Sequence, residues 1–302
     1  MDLKSKIFLI YGPTASGKSK FAIKLAKKIK GEIINADSMQ VYKELKILSA
    51  RPSKKEYEKI KHHLFGFQSA KKIFSTGNWL KLANKKILEV KKRKKVPIVV
   101  GGTGLYFKAL TEGLVSIPNI PTKFRKRIRL LHKNLGPKNF YSKLLKLDPL
   151  AKKHLKFSDT QRVIRAFEIK SFTKKSMFDW FKTTSSPFED KDFCKIYIDY
   201  PRDELIKQIN LRTHKMFKRG VILEVRRFLI HKVPSSKTAS KAIGLSEIKD
   251  FLSKKIKISE VIEKISIKTR QYAKRQSTWG RGNMGDWNII KPSDLNKFLK
   301  KI

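Results

Sequence analysis

Gly12-Pro13-Thr14-Ala15-Ser16-Gly17-Lys18-Ser19 fits the pattern G-x-x-x-x-G-K-[ST] at every fixed position, between the apolar tetrad Ile7-Phe8-Leu9-Ile10 and a helix-like run over residues 20–30. The tetrad reads as a buried parallel strand. The glycines let backbone N–H groups turn inward on an anion at the positive end of the following helix. The loop therefore predicts a phosphate site made by all eight residues, with Lys18 on the phosphates and Ser19 on a magnesium ion (Mg2+). Loops of this kind bind nucleotides, ATP among them, but the cradle reads phosphate oxygens and not what they are attached to.

Beyond the loop, Glu32-Ile33-Ile34-Asn35 reads as a second strand, ending at Asp37-Ser38-Met39-Gln40. Val96-Pro97-Ile98-Val99-Val100 reads as a third, ending at Gly101-Gly102-Thr103-Gly104, and Lys195-Ile196-Tyr197-Ile198-Asp199 as a return to the sheet. Helical segments are expected over residues 54–61 and 78–94. The alternation predicts an α/β fold, a P-loop parallel sheet with helices on both faces. In such sheets ligands bind beyond the carboxyl ends of the strands, where all three motifs fall.

From about Ile117 the texture changes to Pro118, Pro121 and the basic run Lys123-Phe124-Arg125-Lys126-Arg127-Ile128-Arg129, followed by basic helices to about residue 181. Asp148-Pro149 reads as an N-cap followed by a first-turn proline, Ser158-Asp159-Thr160-Gln161 has capping-box spacing, and Thr183-Thr184-Ser185-Ser186-Pro187 reads as a loop. The expected division is a P-loop core over 1–117, an all-helical insertion over 118–190, and core completion with C-terminal basic helices over 191–302.

Composition narrows the partner. Lys and Arg number 71 against 25 Asp and Glu in 302 residues, a net charge of +46, which points to a polyanion, although a lysine-biased proteome would also raise the count. The single cysteine, Cys194, excludes an intrachain disulfide and a cysteine-based zinc cluster, and reads as a small core residue. No stretch approaches the ~20 apolar residues of a membrane span, and Met1-Asp2-Leu3-Lys4 begins no signal-peptide core. A cytoplasmic monomer with no membrane partner is expected.

Three side chains are candidates for chemistry. Asp37 follows a strand and faces the mouth of the phosphate loop; helix cap, magnesium ligand and general base all need an ionised carboxylate there, and spacing does not separate them. Thr103, in the second glycine-rich turn, offers a hydroxyl beside a close backbone approach. Arg212, with Met216 one turn later, is spaced to clamp phosphates, or else is a solvated helix arginine.

Taken together, Gly12 to Ser19, Asp37-Ser38-Met39-Gln40-Val41-Tyr42, Gly101-Gly102-Thr103-Gly104-Leu105-Tyr106, Gln161-Arg162-Val163-Ile164-Arg165-Ala166 and Arg270-Gln271-Tyr272-Ala273-Lys274-Arg275-Gln276 resemble the tRNA dimethylallyltransferase (bacterial tRNA isopentenyltransferase) family, in order along nearly the whole chain. The resemblance implies that the loop holds dimethylallyl diphosphate and that the prenyl group passes to N6 of the adenine immediately 3′ of the anticodon. It implies Asp37 as proton acceptor, with Lys18, Thr103, Arg212 and magnesium at Ser19 stabilising the leaving diphosphate. It also implies contacts to the tRNA anticodon stem-loop from Asp37, Ser38, Met39, Gln40, Thr103, Arg125, Gln161, Arg162, Val163, Ile164 and Arg165. Arg270 and Lys274, at i,i+4, read as a phosphate track with Tyr272 interleaved.

The chain departs from the family pattern at Ile47-Leu48-Ser49-Ala50-Arg51-Pro52 for Ile-Gly-Thr-Ala-Lys-Pro, at Leu245 for Tyr and at Gly280 for Phe. Leu64-Phe65-Gly66-Phe67 also replaces Leu-Ile-Asp-Ile after His62-His63, two histidines that read as structural. These departures bear on loop packing and tRNA affinity rather than on the reaction. Competing readings are an adenylate dimethylallyltransferase, a P-loop small-molecule kinase, and an RNA-binding protein that uses a nucleotide only as a structural switch.

Overall fold

β1 (Ile7–Tyr11) is buried at every position, as a strand must be when it has neighbours on both edges and helices on both faces. The computed structural model describes residues 5–115, 117–182 and 184–302; the chain start read above and Thr183, the first residue of the expected loop, lie outside them. The other strands are β2 (Gly31–Asn35), β3 (His62–His63), β4 (Val96–Gly101), β5 (Phe193–Ile198) and β6 (Asn288–Ile290). They form one sheet in the order β3-β2-β4-β1-β5-β6, parallel throughout, with Leu9 opposite Val99 on one side and Lys195 on the other.

Strand periodicity sends alternate residues of β1 to opposite faces. Phe8 and Ile10 pack with Phe21, Leu25 and Ala26 of α1 (Lys18–Ile29). Ile7, Leu9 and Tyr11 pack with Trp79 and Ile87 of α2 (Thr76–Lys92) and Phe107 of α3 (Gly104–Thr111). The start of α2 is fixed by a capping box between Ser75 and Asn78.

Described residues up to 111, with 188–302, form one unit, and 112–187 form a second. The second is helical: α4 (Thr122–Leu147), broken at Gly136-Pro137, α5 (Ala151–His154), α6 (Thr160–Thr173) and α7 (Met177–Phe181), around Phe140, Leu144, Val163, Phe167 and Ile169. The first unit is completed by α8 (Arg202–Lys218), α9 (Val221–Ile230), α10 (Leu245–Leu252), α11 (Ile258–Asn283) and α12 (Leu295–Lys301). Among the described residues no helix is long and apolar enough to cross a membrane.

Some local expectations fail. Residues 54–61 make only a single 3-10 turn at Lys55–Tyr57, because Glu58 and Lys59 adopt left-handed backbone and end it. Asp148 does not cap α5; its buried carboxylate accepts from Ser176 Oγ at 2.8 Å. The capping box at 158–161 does not form, since α6 starts after Asp159 with no side-chain cap.

Candidate active site

The phosphate loop leaves the carboxyl end of β1 and enters α1 at Lys18, whose first-turn N–H groups have no intrahelical acceptor. Ser16 Oγ is buried without a hydrogen-bond partner, a polar atom of the kind a phosphate oxygen satisfies. Lys18 Nζ donates to Pro13 O at 3.0 Å. Burial pulls the Lys18 ammonium down to about 8; Asp37 opposes that shift and Arg212 adds to it, so the three side chains share one electrostatic neighbourhood. Arg212 Nη1 donates to Thr14 Oγ1 at 2.7 Å, and burial likewise lowers its guanidinium.

Asp37 is set by the turn that follows β2. Asn35, itself buried, accepts from the Asp37 N–H at 3.0 Å and donates to the carbonyls of Asp37 and Leu64. Asp37 Oδ1 accepts from the N–H groups of Met39 at 2.8 Å and Gln40 at 3.3 Å, leaving Oδ2 for other partners. Thr103 Oγ1 accepts from the Ser38 N–H at 3.0 Å and joins the second glycine turn to the Asp37 turn. A side chain at Gly101 would put Cβ 2.0 Å from Ala36 O, so that close approach needs glycine.

The connection that sequence reading missed is Gln276. Its Oε1 accepts from the Thr14 N–H at 2.8 Å and its Nε2 donates to Gly102 O at 2.7 Å, so one buried amide joins the phosphate loop to the second glycine turn. A signal was present: Thr269, Ala273, Gln276 and Gly280 recur at helical spacing on the buried stripe of α11, and a buried glutamine must be hydrogen-bonded. Tyr11 Oη donates to Gln276 O at 2.7 Å, and a Cβ at Gly280 would meet the rings of Tyr11 and Tyr197. Those rings occupy the space that the departure to glycine vacates.

A cavity of about 310 Å³ opens beside the loop. Thr14, Asp37 and Arg212 give it polar walls, and Met39, Leu48, Met216, Ile243, Ile265 and Tyr272 give it apolar ones. Burial and the Asp37 charge push the Tyr272 phenol up, and Arg275 stacks over its ring at 5.7 Å. Thr103 is not among the cavity's walls.

The remaining sequence candidates are dispersed. Arg270 and Lys274 line a separate groove of about 430 Å³ with Arg202 and Arg281, between α8 and α11. In the helical unit Arg125 Nε and Arg165 Nη1 reach the fully buried Glu168 at 3.3 and 3.2 Å, with Arg129 Nε at 3.7 Å. Gln161 and Arg162 are exposed, whereas Val163 and Ile164 are buried in that unit's core. For magnesium, the half-exposed Ser19 hydroxyl and the Asp37 carboxylate are hard oxygen donors. Among the described residues no group of three His, Cys, Asp or Glu side chains makes an all-protein metal cage. Hard oxygen donors of this kind suit magnesium, which keeps several waters and shares phosphate oxygens.

A family model described as IPP transferase matches residues 40–283. A tRNA dimethylallyltransferase of Pelagibacter ubique is 56% identical over 302 residues, covering 100% of this chain and 96% of that one, and one of Agrobacterium fabrum is 41% identical over 294 residues, covering 97% and 99%. Among solved structures, the Staphylococcus epidermidis tRNA isopentenylpyrophosphate transferase is similar with a TM-score of 0.69 and 31% identity, covering 98% of this chain and 96% of that one. A eukaryotic dimethylallyltransferase acting on tRNA is similar with a TM-score of 0.83 and 28% identity, covering 97% of this chain and 75% of that one.

Proposed function

Because the chain belongs to the tRNA dimethylallyltransferase family of IPP transferases, we propose that it transfers a dimethylallyl group from dimethylallyl diphosphate to N6 of the adenosine immediately 3′ of the anticodon in tRNA, releasing diphosphate. The observation that carries this reading is the composition of the 310 Å³ cavity: an anion-binding edge at Thr14 and Arg212, a carboxylate at Asp37, and an apolar wall with no use in phosphoryl transfer to water or alcohol.

In the chemistry that follows, N6 of adenine attacks C1 of the allyl group as the C1–O bond to diphosphate breaks, and the N6 proton passes to Asp37. The exocyclic amine is conjugated with its ring, so removal of that proton is what makes it a competent nucleophile. Asp37 is held by the Met39 and Gln40 N–H groups through Oδ1, which leaves Oδ2 to take the proton. The bridging oxygen and the phosphates gain charge as the bond breaks. Lys18, Arg212 and the N–H groups at the start of α1 stabilise that charge in this reading, which the shared neighbourhood of Lys18, Asp37 and Arg212 supports. Ser19 would hold a magnesium ion, which when bound would supply further positive charge to the leaving phosphates. Thr103 acts through Ser38, holding the Asp37 turn against the second glycine loop.

The tRNA side of the reading assigns Asp37, Ser38, Met39 and Gln40 to the extruded base and its neighbours, with Thr103 supporting them through Ser38. Arg125, Gln161, Arg162 and Arg165 of the helical unit, and Arg270 and Lys274 of the α8–α11 groove, bind phosphates. Val163 and Ile164 support the helical unit's residues from that unit's own core. Extrusion costs a few kcal/mol, offset by backbone contacts that the +46 charge favours.

The test is to incubate the protein with unmodified tRNA and dimethylallyl diphosphate labelled in the prenyl group, then to digest and separate the nucleosides. Label is expected in one modified adenosine and is lost when the adenosine 3′ of the anticodon is changed to guanosine. Label appearing on free AMP but never on tRNA would replace this reading with the adenylate one. Consumption of ATP with no prenyl transfer would favour a kinase.

A further inference from the structure

The apolar wall of the cavity includes a loop that a carboxylate holds from behind. The backbone N–H groups of Lys46, Ile47 and Leu48 all donate to Glu224 of α9, at 2.9 and 2.7 Å to Oε2 and 2.8 Å to Oε1. Three successive N–H groups converging on one carboxylate form an anion nest, and each bond is charge-assisted. Gln40 Nε2 adds donations to Ser49 O at 3.2 Å and Ala50 O at 3.4 Å. Held in this way, the loop presents Ile47 and Leu48 to the cavity.

Leu48 rests on Gly244. A Cβ there would come within 2.6 Å of Leu48 Cδ1 and 3.2 Å of Ile265 Cδ1, and the backbone φ of +102° separately disfavours any other residue. Gly244 is itself fixed: its N–H donates to Glu247 Oε2 at 2.9 Å, and Glu247 pairs with Lys268. The Leu48 side chain therefore packs into a notch whose opposite wall cannot easily yield.

α11 measures how far that notch lies from the phosphate loop. Gln276 touches Thr14 of the phosphate loop and Ile265 touches the notch, eleven helical residues earlier, which is about 16 Å along the axis. α8 supports the same direction, with Arg212 at Thr14 and Met216 one turn further along the cavity wall. Leu48 thus lies at the end of the cavity remote from the phosphate loop, about three helical turns away along α11. The volume, about 310 Å³, is at the small end of ligand cavities.

Resting on the reading that the loop binds an allylic diphosphate, we propose that Leu48, packed on Gly244 and held by Glu224, sets the length of the prenyl chain and restricts the donor to five carbons. Leu48 makes the contact; Glu224 is a positioning residue that acts through the loop backbone.

The experiment compares wild type, Leu48→Ala and Glu224→Gln with dimethylallyl and geranyl diphosphates, measuring kcat and KM for transfer to tRNA. Equilibrium binding of the two thiolodiphosphate analogues is measured in parallel. Leu48→Ala is expected to raise the geranyl-to-dimethylallyl ratio of kcat/KM by roughly 10- to 200-fold, the range for small changes in an apolar pocket. Glu224→Gln should move the ratio the same way by a smaller factor through KM for the diphosphates, with KM for tRNA unchanged. An unchanged ratio in Leu48→Ala overturns the length gate, and a shift in Leu48→Ala with none in Glu224→Gln overturns the role of Glu224. If Glu224→Gln fails to fold, Glu224→Asp, which keeps the acceptor but shortens its reach, replaces it. Loss of all transfer to tRNA in wild type would sink the proposed function instead, while the analogue binding ratio still decides the gate.

Discussion

Replacing Gln276 should damage stability and donor binding together, because its amide serves two loops at once. Gln276→Leu keeps the shape and leaves Gly102 O, which is buried, and the Thr14 N–H, which is partly buried, without partners. An orphaned buried group costs about 1–3 kcal/mol, and the partly solvated Thr14 N–H belongs at the low end, so a loss of about 2–4 kcal/mol in unfolding free energy is expected. Gln276→Glu is more informative. It retains an acceptor for Thr14 but sets a carboxylate oxygen against Gly102 O, where the native contact is 2.7 Å, and adds negative charge beside the phosphate site. KM for dimethylallyl diphosphate should rise about 5- to 150-fold, the equivalent of about 1–3 kcal/mol. Burial raises a carboxyl pKa, and the introduced carboxyl, once protonated, can donate to Gly102 O as glutamine does, so the KM penalty should shrink as pH falls. The assays are urea denaturation and steady-state kinetics from neutral pH downward. Both variants lying within about twofold of wild-type KM, with unchanged stability, would refute the bridging role.

Lys18 predicts a pH dependence of donor binding. Its ammonium lies at about 8 in the free protein and a bound diphosphate raises it, so affinity is constant below that value. Above it, Kd should climb toward tenfold per pH unit; a flat Kd between about pH 7 and 9.5, read by calorimetry, refutes the assignment. Arg212→Ala should lower turnover by roughly ten- to a thousand-fold at saturating diphosphate, and full turnover in that assay removes the clamp. Glu168→Gln leaves the guanidinium groups of Arg125, Arg129 and Arg165 around a neutral amide. With those arginines partly exposed, urea denaturation should show a loss of about 1–3 kcal/mol, and no loss would mean that the cluster is not stabilising.

The sheet was legible because its signals are local. A continuous apolar run before a glycine-rich loop identifies β1, and Asp37 and Thr103 fall at strand ends that the same reasoning marks. The two shortest strands were not legible. β3 has two residues, and β6 comprises Asn288, Ile289 and Ile290, a run too short for any periodicity; both are strands only because β2 and β5 offer them an edge.

The site was half legible for a similar reason. Lys18 and Ser19 belong to one contiguous motif, whereas Gln276 acts on Thr14 from far along the chain, and only the packing of α11 shows it. Glu224 and Glu168 look like ordinary surface carboxylates in a helix. One caps three loop N–H groups and the other gathers arginines expected to bind tRNA. His62 and His63 keep their structural reading: His62 stacks on Tyr57 and His63 meets Glu32 Oε2 at 2.6 Å. Cys194 is only partly buried, and burial pushes its thiol up.

The claim on which the chemistry rests is that Asp37 accepts the N6 proton. Asp37→Asn preserves an Oδ1 acceptor for the Met39 and Gln40 N–H groups, so the turn and both binding sites should survive. The decisive measurement is the single-turnover rate of prenyl transfer in that variant with tRNA and dimethylallyl diphosphate both saturating, alongside the Kd of each. The expected rate is lower by about 10²- to 10⁴-fold, with both Kd values within a few-fold of wild type. A wild-type rate from the asparagine variant would contradict that claim.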